Sequence, residues 1–277
     1  MKKTFVLSMA LLMAFGGLAA QVRCDSCDRL FIQAAQWGDI AGLRRHLACS
    51  WSNLNARDDG GKTALMWAVT NWHPHIISFL LNPPADLRPS NAAPVNLNIE
   101  DNVGMTVLMH AIRTRDIAIV SSLLRWAGGR INVNHQSKNG STALHVAVMT
   151  DMDTMVMMLL EQPTIDPNLV DLNGRSAFML ALERRNRSML EWFARSPYFD
   201  VTRSPHGSVP PLLEALRLGL SPTLIEDILF FFPDAINSRD DRGNGPSEWL
   251  VKYGRHNAAD RMRIRDVLDD ARVRNRW

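Results

Sequence analysis

The chain has 277 residues, of which 31 are Lys or Arg and 28 are Asp or Glu, for a formal net charge of +3. Two of the lysines, Lys2 and Lys3, stand at the start, and without them the balance is 29 basic against 28 acidic residues. Bulk charge therefore gives no reason to expect a nucleic-acid partner.

Met1-Lys2-Lys3 is a short basic segment, and Phe5 to Phe15 is an apolar run interrupted only by Ser8. The run is too short to span a bilayer, and it ends in Gly16-Gly17-Leu18-Ala19-Ala20, small residues suited to a signal peptidase. Residues 1–20 read as a cleaved secretory signal. Beyond Gln21 every apolar stretch is cut by charge or proline before it could cross a membrane, so the exported chain is expected without stable membrane insertion. Removing 20 of 277 residues leaves 257, enough for one large domain, two ordinary ones or a stack of small units.

Cys24, Cys27 and Cys49 all lie near the new N-terminus, in a chain bound for an oxidising compartment. If Asp28–Trp37 and Ile40–Leu47 are antiparallel helices, the start of the first lies beside the end of the second. A Cys27–Cys49 disulfide is then favoured, with Cys24 the alternative partner and one thiol left over. A Cys-x-x-Cys redox site at Cys24 and Cys27 lacks the strand-then-helix context such chemistry uses.

From Gly61 onward a segment recurs. Gly61-Lys62-Thr63-Ala64-Leu65-Met66-Trp67-Ala68 is followed by copies at Gly104 to Ala111, Gly140 to Ala147 and Gly174 to Ala181. Weaker copies cover Ser208 to Ala215 and Gly243 to Leu250, and a degenerate one ends at Ala34. Thr63, Thr106, Thr142 and Ser176 each precede an apolar run of helical period and read as N-caps. The glycines supply tight turns, helped by Asp58, Asp101 and Asp171 three residues earlier. Second apolar runs follow at Ile76–Leu81, Ile117–Leu124 and Met155–Leu160. A lone helix pair cannot bury that much apolar surface, so neighbouring pairs must stack.

Gly-Ser-Thr-Ala-Leu-His-Val-Ala at Gly140 to Ala147 resembles the Thr-Pro-Leu-His-x-Ala signature of ankyrin repeats, with Ala or Val replacing Pro across the middle copies. The resemblance implies an all-α solenoid of about seven helix-turn-helix units with hairpin tips, near 24–57, 58–100, 101–136, 137–170, 171–204, 205–239 and 240–277. It implies that His145 braces its turn, whereas His110 falls one position later. A proline-rich insertion at 82–94 reads as a loop projecting from one edge. The tail from Arg255, with seven arginines and four aspartates, reads as the last helix of the final unit rather than a membrane-surface helix.

No metal or cofactor site is expected. His73-Pro74-His75 has no Cys, Asp or Glu nearby in sequence to complete a ligand set, and reads as a turn opening a second helix. Neither a Gly-x-Ser-x-Gly elbow nor a phosphate-binding glycine loop is present in the exported part, so the chain reads as a binder rather than an enzyme. The resemblance places partner binding on a concave face made of turn tips and first-helix ends. Carried over position by position, the candidates are Trp37, Lys62, Asn71, Arg113, Lys138, Thr150, Arg175, Arg184, Arg217, Arg242, Lys252 and Tyr253. Eight of these twelve are basic, which implies a protein partner with an acidic surface. The expectation is a monomeric adaptor in the bacterial envelope or medium. An inhibitor or immunity protein of a periplasmic enzyme, or a secreted effector acting on a host protein, is the alternative. The bacterial origin rests on the short signal and the scarcity of glycosylation sequons, of which Asn139-Gly140-Ser141 is the main one.

Overall fold

A computed structural model describes residues 25–48, 53–84, 87, 94–202 and 209–275. The signal segment 1–20, Cys24, Cys49 and most of the 82–94 insertion lie outside the described residues, and with them the cysteine pairing. Cys27 sits half-buried in the first helix.

Fourteen α-helices follow one another in seven pairs among the described residues. They are α1 Asp25–Trp37 with α2 Ile40–Ala48, α3 Ala64–Thr70 with α4 Pro74–Leu81, and α5 Val107–Arg113 with α6 Ile117–Ala127. Then come α7 Ala143–Met149 with α8 Asp153–Leu160, α9 Ala177–Glu183 with α10 Arg187–Arg195, α11 Pro211–Leu218 with α12 Pro222–Phe231, and α13 Pro246–Lys252 with α14 Ala258–Arg274. A 3₁₀ turn, Pro233–Asn237, follows α12. Helices this short are marginal alone, so their stability comes from packing. The odd-numbered helices lie side by side, the even-numbered ones pack closely from α6 onward, and one apolar core runs through the whole series.

The hydroxyls of Thr63, Thr142 and Ser176 accept hydrogen bonds from the amides of Met66, His145 and Met179, as N-caps do. Thr106 has the same extended backbone, φ −84° and ψ 168°, but its side chain makes no capping bond. Isolated antiparallel bridges Arg57–Thr63, Glu100–Thr106 and Val170–Ser176 close the base of three turns. Successive turns touch through their backbones: Asn102 N donates to Gly60 O at 2.9 Å, Lys138 N to Val103 O at 3.1 Å, and Leu172 N to Asn139 O at 3.0 Å. That approach leaves no room for a side chain at Gly104 or Gly140, where a Cβ would stand 2.5 Å from Lys138 N or 2.7 Å from Leu172 N.

A second edge is stitched by asparagines. Asn55 Nδ2 donates to Pro94 O and Asn55 Oδ1 accepts from Asn96 N. Asn98 does the same with Arg130 O and Asn132 N, Asn134 with Thr164 O and Asp166 N, and Asn168 with Tyr198 O and Asp200 N. Among the described residues the ladder ends there, and a cluster of phenylalanine rings follows: Phe178 lies 5.3 Å from Phe193, 4.7 Å from Phe199 and 5.1 Å from Phe232. The arginine-rich tail forms α14, which buries Ile264 and Leu268 against the preceding elements.

Candidate functional site

The turns and the first helices share one face, and the turn aspartates hold it in shape. Asp101 Oδ1 accepts the amides of Val103 and Met105, while Oδ2 lies 2.9 Å from His110 Nε2. Asp58 and Asp240 repeat this arrangement, with the indole nitrogens of Trp67 and Trp249 donating at 2.7 and 3.0 Å. In the fifth unit Arg175 takes the place of the ring donor on Asp171, through Nε at 3.2 Å and Nη2 at 3.0 Å. Burial opposes charge on Asp101 and Asp171, but the hydrogen bonds they accept outweigh it and hold both carboxyls below their usual pKa. Bonds led by the Asn244 side chain bring Asp240 down to about 2.

The fourth unit has Ser137 in place of the aspartate, and His145 does the bracing instead. His145 Nδ1 accepts from Thr142 N, and Nε2 faces the Arg175 carbonyl of the next unit at 2.9 Å. The ring is therefore neutral with its proton on Nε2, and burial keeps its pKa below the ordinary imidazole value. His110, one position later, makes the carboxylate contact described above. Burial also lowers its pKa, in spite of Asp101.

Of the sequence-derived candidates, Trp37 is 72% exposed at the end of α1. Asn71 is exposed and donates to the Gln36 carbonyl of the unit before it, and Thr150 returns its hydroxyl to Val146 and Ala147. Lys62 lies 4.2 Å over the Trp67 ring, and Lys252 lies 5.1 Å over Tyr253, which itself stacks on Trp249. Arg113 extends over Met105, and Lys138, Arg184 and Arg242 are exposed. Arg175 and Arg217 behave differently, because Asp171 with Glu183 neutralises the first and Glu214 the second. Six of the eight basic candidates thus make no ion pair among the described residues. At the first-unit end the face widens into a cleft of about 640 Å³ between α1 and the segment 53–59.

His73 and His75 open α4, as their turn position suggests, and each bonds a carbonyl of the first unit, Gln36 O at 3.1 Å and Gly38 O at 3.1 Å. Among the described residues no three His, Cys, Asp or Glu side chains cluster in a way that could hold a metal ion, and no helix is long and apolar enough to cross a membrane.

Sequence reasoning missed several side chains on this face. Trp72, 56% exposed, and Arg115 and Arg185, both exposed, follow the helix ends already named. Val103 and Leu172, 59% and 78% exposed, stand at turn tips. The asparagine ladder also went unread, although Asn55, Asn98, Asn134 and Asn168 are spaced by 43, 36 and 34 residues, the same steps as the turn glycines Gly61, Gly104, Gly140 and Gly174.

Comparison with known proteins gives a consistent picture. The family model for ankyrin repeats (3 copies) matches residues 31–135 and 116–204, more than half of the chain. The chain is 27% identical over 179 residues to the Nuclear factor NF-kappa-B p105 subunit of Gallus gallus, covering 62% of this chain and 17% of that one. It is 26% identical over 198 residues to Neurogenic locus notch homolog protein 1 of Homo sapiens, covering 63% of this chain and 8% of that one. The chain therefore spans less than a fifth of the length of these relatives. In fold it matches the crystal structure of the ankyrin repeat domain of Bcl-3 with a TM-score of 0.68 at 22% identity, covering 87% of this chain and 97% of that one.

Proposed function

Because the chain belongs to the ankyrin-repeat family, a fold built for protein–protein interaction, we propose that it is an exported binding module that docks on the acidic surface of another protein through the face of turns and first helices. The observation that carries this reading is the uneven use of charge. Lys62, Arg113, Lys138, Arg184, Arg242 and Lys252 come from five of the seven units, share that face, and make no ion pair among the described residues. Exposed pairs of this kind contribute little to stability, so leaving these cations free costs the fold little and presents them to a partner. The location in a bacterial envelope or medium rests on the basic start, apolar run and small residues of positions 1–20.

The test is affinity purification of the mature form from its own envelope fraction, with wild type beside an Arg113→Glu/Arg184→Glu variant. Capture that weakens with added salt and is lost in the variant supports the reading. Capture indifferent to both overturns it. A stoichiometric complex that abolishes the activity of one enzyme would identify an inhibitor, whereas recovery of several proteins with unchanged rates would identify an adaptor.

A further inference from the structure

Six first helices close on a left-handed residue: Gly38 (φ 72°), Trp72 (60°), Arg115 (60°), Asp151 (57°), Arg185 (55°) and Gly219 (73°). The amides close the reverse turn that such ends use. His73 N reaches Ala68 O at 2.9 Å and Trp72 N reaches Val69 O at 3.3 Å, and Asn186 N with Arg185 N repeats the pattern on Ala181 O and Leu182 O. Glycine adopts this conformation without penalty, and aspartate tolerates it. Tryptophan and arginine do neither, because their Cβ crowds the following carbonyl. Gly38 and Gly219 show that the fold itself asks for no side chain at this position.

The strained side chains receive nothing in return from the chain. Trp72 is 56% exposed, and Arg115 and Arg185 are exposed with no ion pair among the described residues. The acids around them are engaged elsewhere: Asp116 caps α6, Glu183 pairs with Arg175, and Asp151 and Asp153 share the Asn186 amide. Successive ends are contiguous, since Asn71 Nδ2 reaches Gln36 O, His75 Nε2 reaches Gly38 O and Asn186 Nδ2 reaches Asp151 Oδ1. The result is one edge with two exposed indoles, Trp37 and Trp72, at one end, and Arg113, Arg115, Arg184 and Arg185 along the rest, interrupted by Asp151, whose carboxylate accepts from Asn186.

Resting on the protein-binding reading above, we infer that this row of left-handed helix ends is the specific docking strip and that its occupant is an acidic segment of the partner protein carrying an apolar residue for the indoles. Strain held in place without structural benefit is what a binding role leaves behind. Tryptophan and arginine are also the side chains that most often anchor protein interfaces.

The probe is a fluorescent Glu/Asp-rich synthetic peptide containing two leucines, and binding is read by anisotropy at low and physiological salt. The proteins are wild type, the triple variant Trp72→Gly/Arg115→Gly/Arg185→Gly, and a turn-tip variant Lys62→Glu/Lys138→Glu/Arg242→Glu. The triple variant should melt about 1 to 3 °C higher for each site relieved. It should also bind the peptide more weakly by about tenfold or more. Gain of stability with loss of binding is a combination that a purely structural role cannot produce. A melting temperature that falls, a wild type that ignores the peptide, or a triple variant that binds like wild type each overturns the inference. Loss of binding in the turn-tip variant alone also overturns it, while leaving the broader protein-binding reading intact.

Discussion

Between the second and fifth units the seams are closed by polar contacts along two edges, whereas at the seam between the fifth and sixth Phe232 of the sixth unit packs into a cluster of three phenylalanine rings of the fifth. In the first region backbone bonds join successive turns at 2.9 to 3.1 Å, and asparagine amides bridge the opposite edge. In the second, Phe178, Phe193, Phe199 and Phe232 meet at 4.7 to 5.3 Å, and Arg187 pairs with Asp227 at 2.8 Å across α10 and α12. Hydrogen bonds of fixed length set the height and rotation of each unit on the last, so the polar seams specify register. Ring packing removes more apolar area from water but tolerates small shifts, so the aromatic seam supplies cohesion.

The largest effect comes from attacking the aromatic seam. Phe178 is fully buried and touches the other three rings, so Phe178→Ala should cost about 3 to 5 kcal/mol. In a linear array stability is shared mainly between neighbours, so the loss should fall on α11 to α14. Urea unfolding followed by circular dichroism should change from one transition to two. A single transition with an unchanged slope would show that the two regions are not separable.

A smaller effect isolates the turn stack. Gly104 and Gly128 both have positive φ, 80° and 50°, but a Cβ at Gly104 would stand 2.5 Å from Lys138 N while one at Gly128 meets nothing within 4 Å. Alanine at either site should cost about 1 kcal/mol for the left-handed backbone. Gly104→Ala should cost about 1 to 3 kcal/mol more, because the next turn must move. Equal losses in chemical denaturation would show that turn-to-turn contact contributes little.

The comparison also explains what could be read from the sequence. The glycine turns, the caps at Thr63, Thr142 and Ser176, and the role of His145 were legible because each is a local arrangement repeated at a fixed step. The left-handed ends were not, because Trp72, Arg115 and Arg185 give no local sign of positive φ, which a glycine would have given. The asparagine partners lie 30 to 41 residues apart, so a single asparagine reads as loop polarity, and only its recurrence in step with the glycines reveals the ladder. The basic candidates were assigned by repeat position alone, and the internal pairing of Arg175 and Arg217 depends on side-chain directions that a repeat pattern does not encode.

The subtlest difference among the turns is chemical. Asp58, Asp101 and Asp240 each receive a ring N–H from nine residues on, but only at Asp101 does the donor, His110, titrate. The pKa values of His110 and His145 are lowered from 6.5, so as pH falls the unfolded chain takes up these protons before the folded one does. Stability should therefore decline as pH drops below 6.5. Asp101 and Asp171, also lowered, contribute stability that is present above 3.8 and lost only in stronger acid, so they add no slope between pH 5 and 7. His110→Gln keeps an N–H for Asp101 and removes the titration. Its urea midpoint should fall less steeply than that of wild type from pH 7.5 to 5.5, by no more than one proton, or about 1.4 kcal/mol per pH unit. Two parallel curves would mean that the buried imidazole plays no part in the acid sensitivity of the third unit, and that the turn carrying it behaves like the two closed by tryptophan.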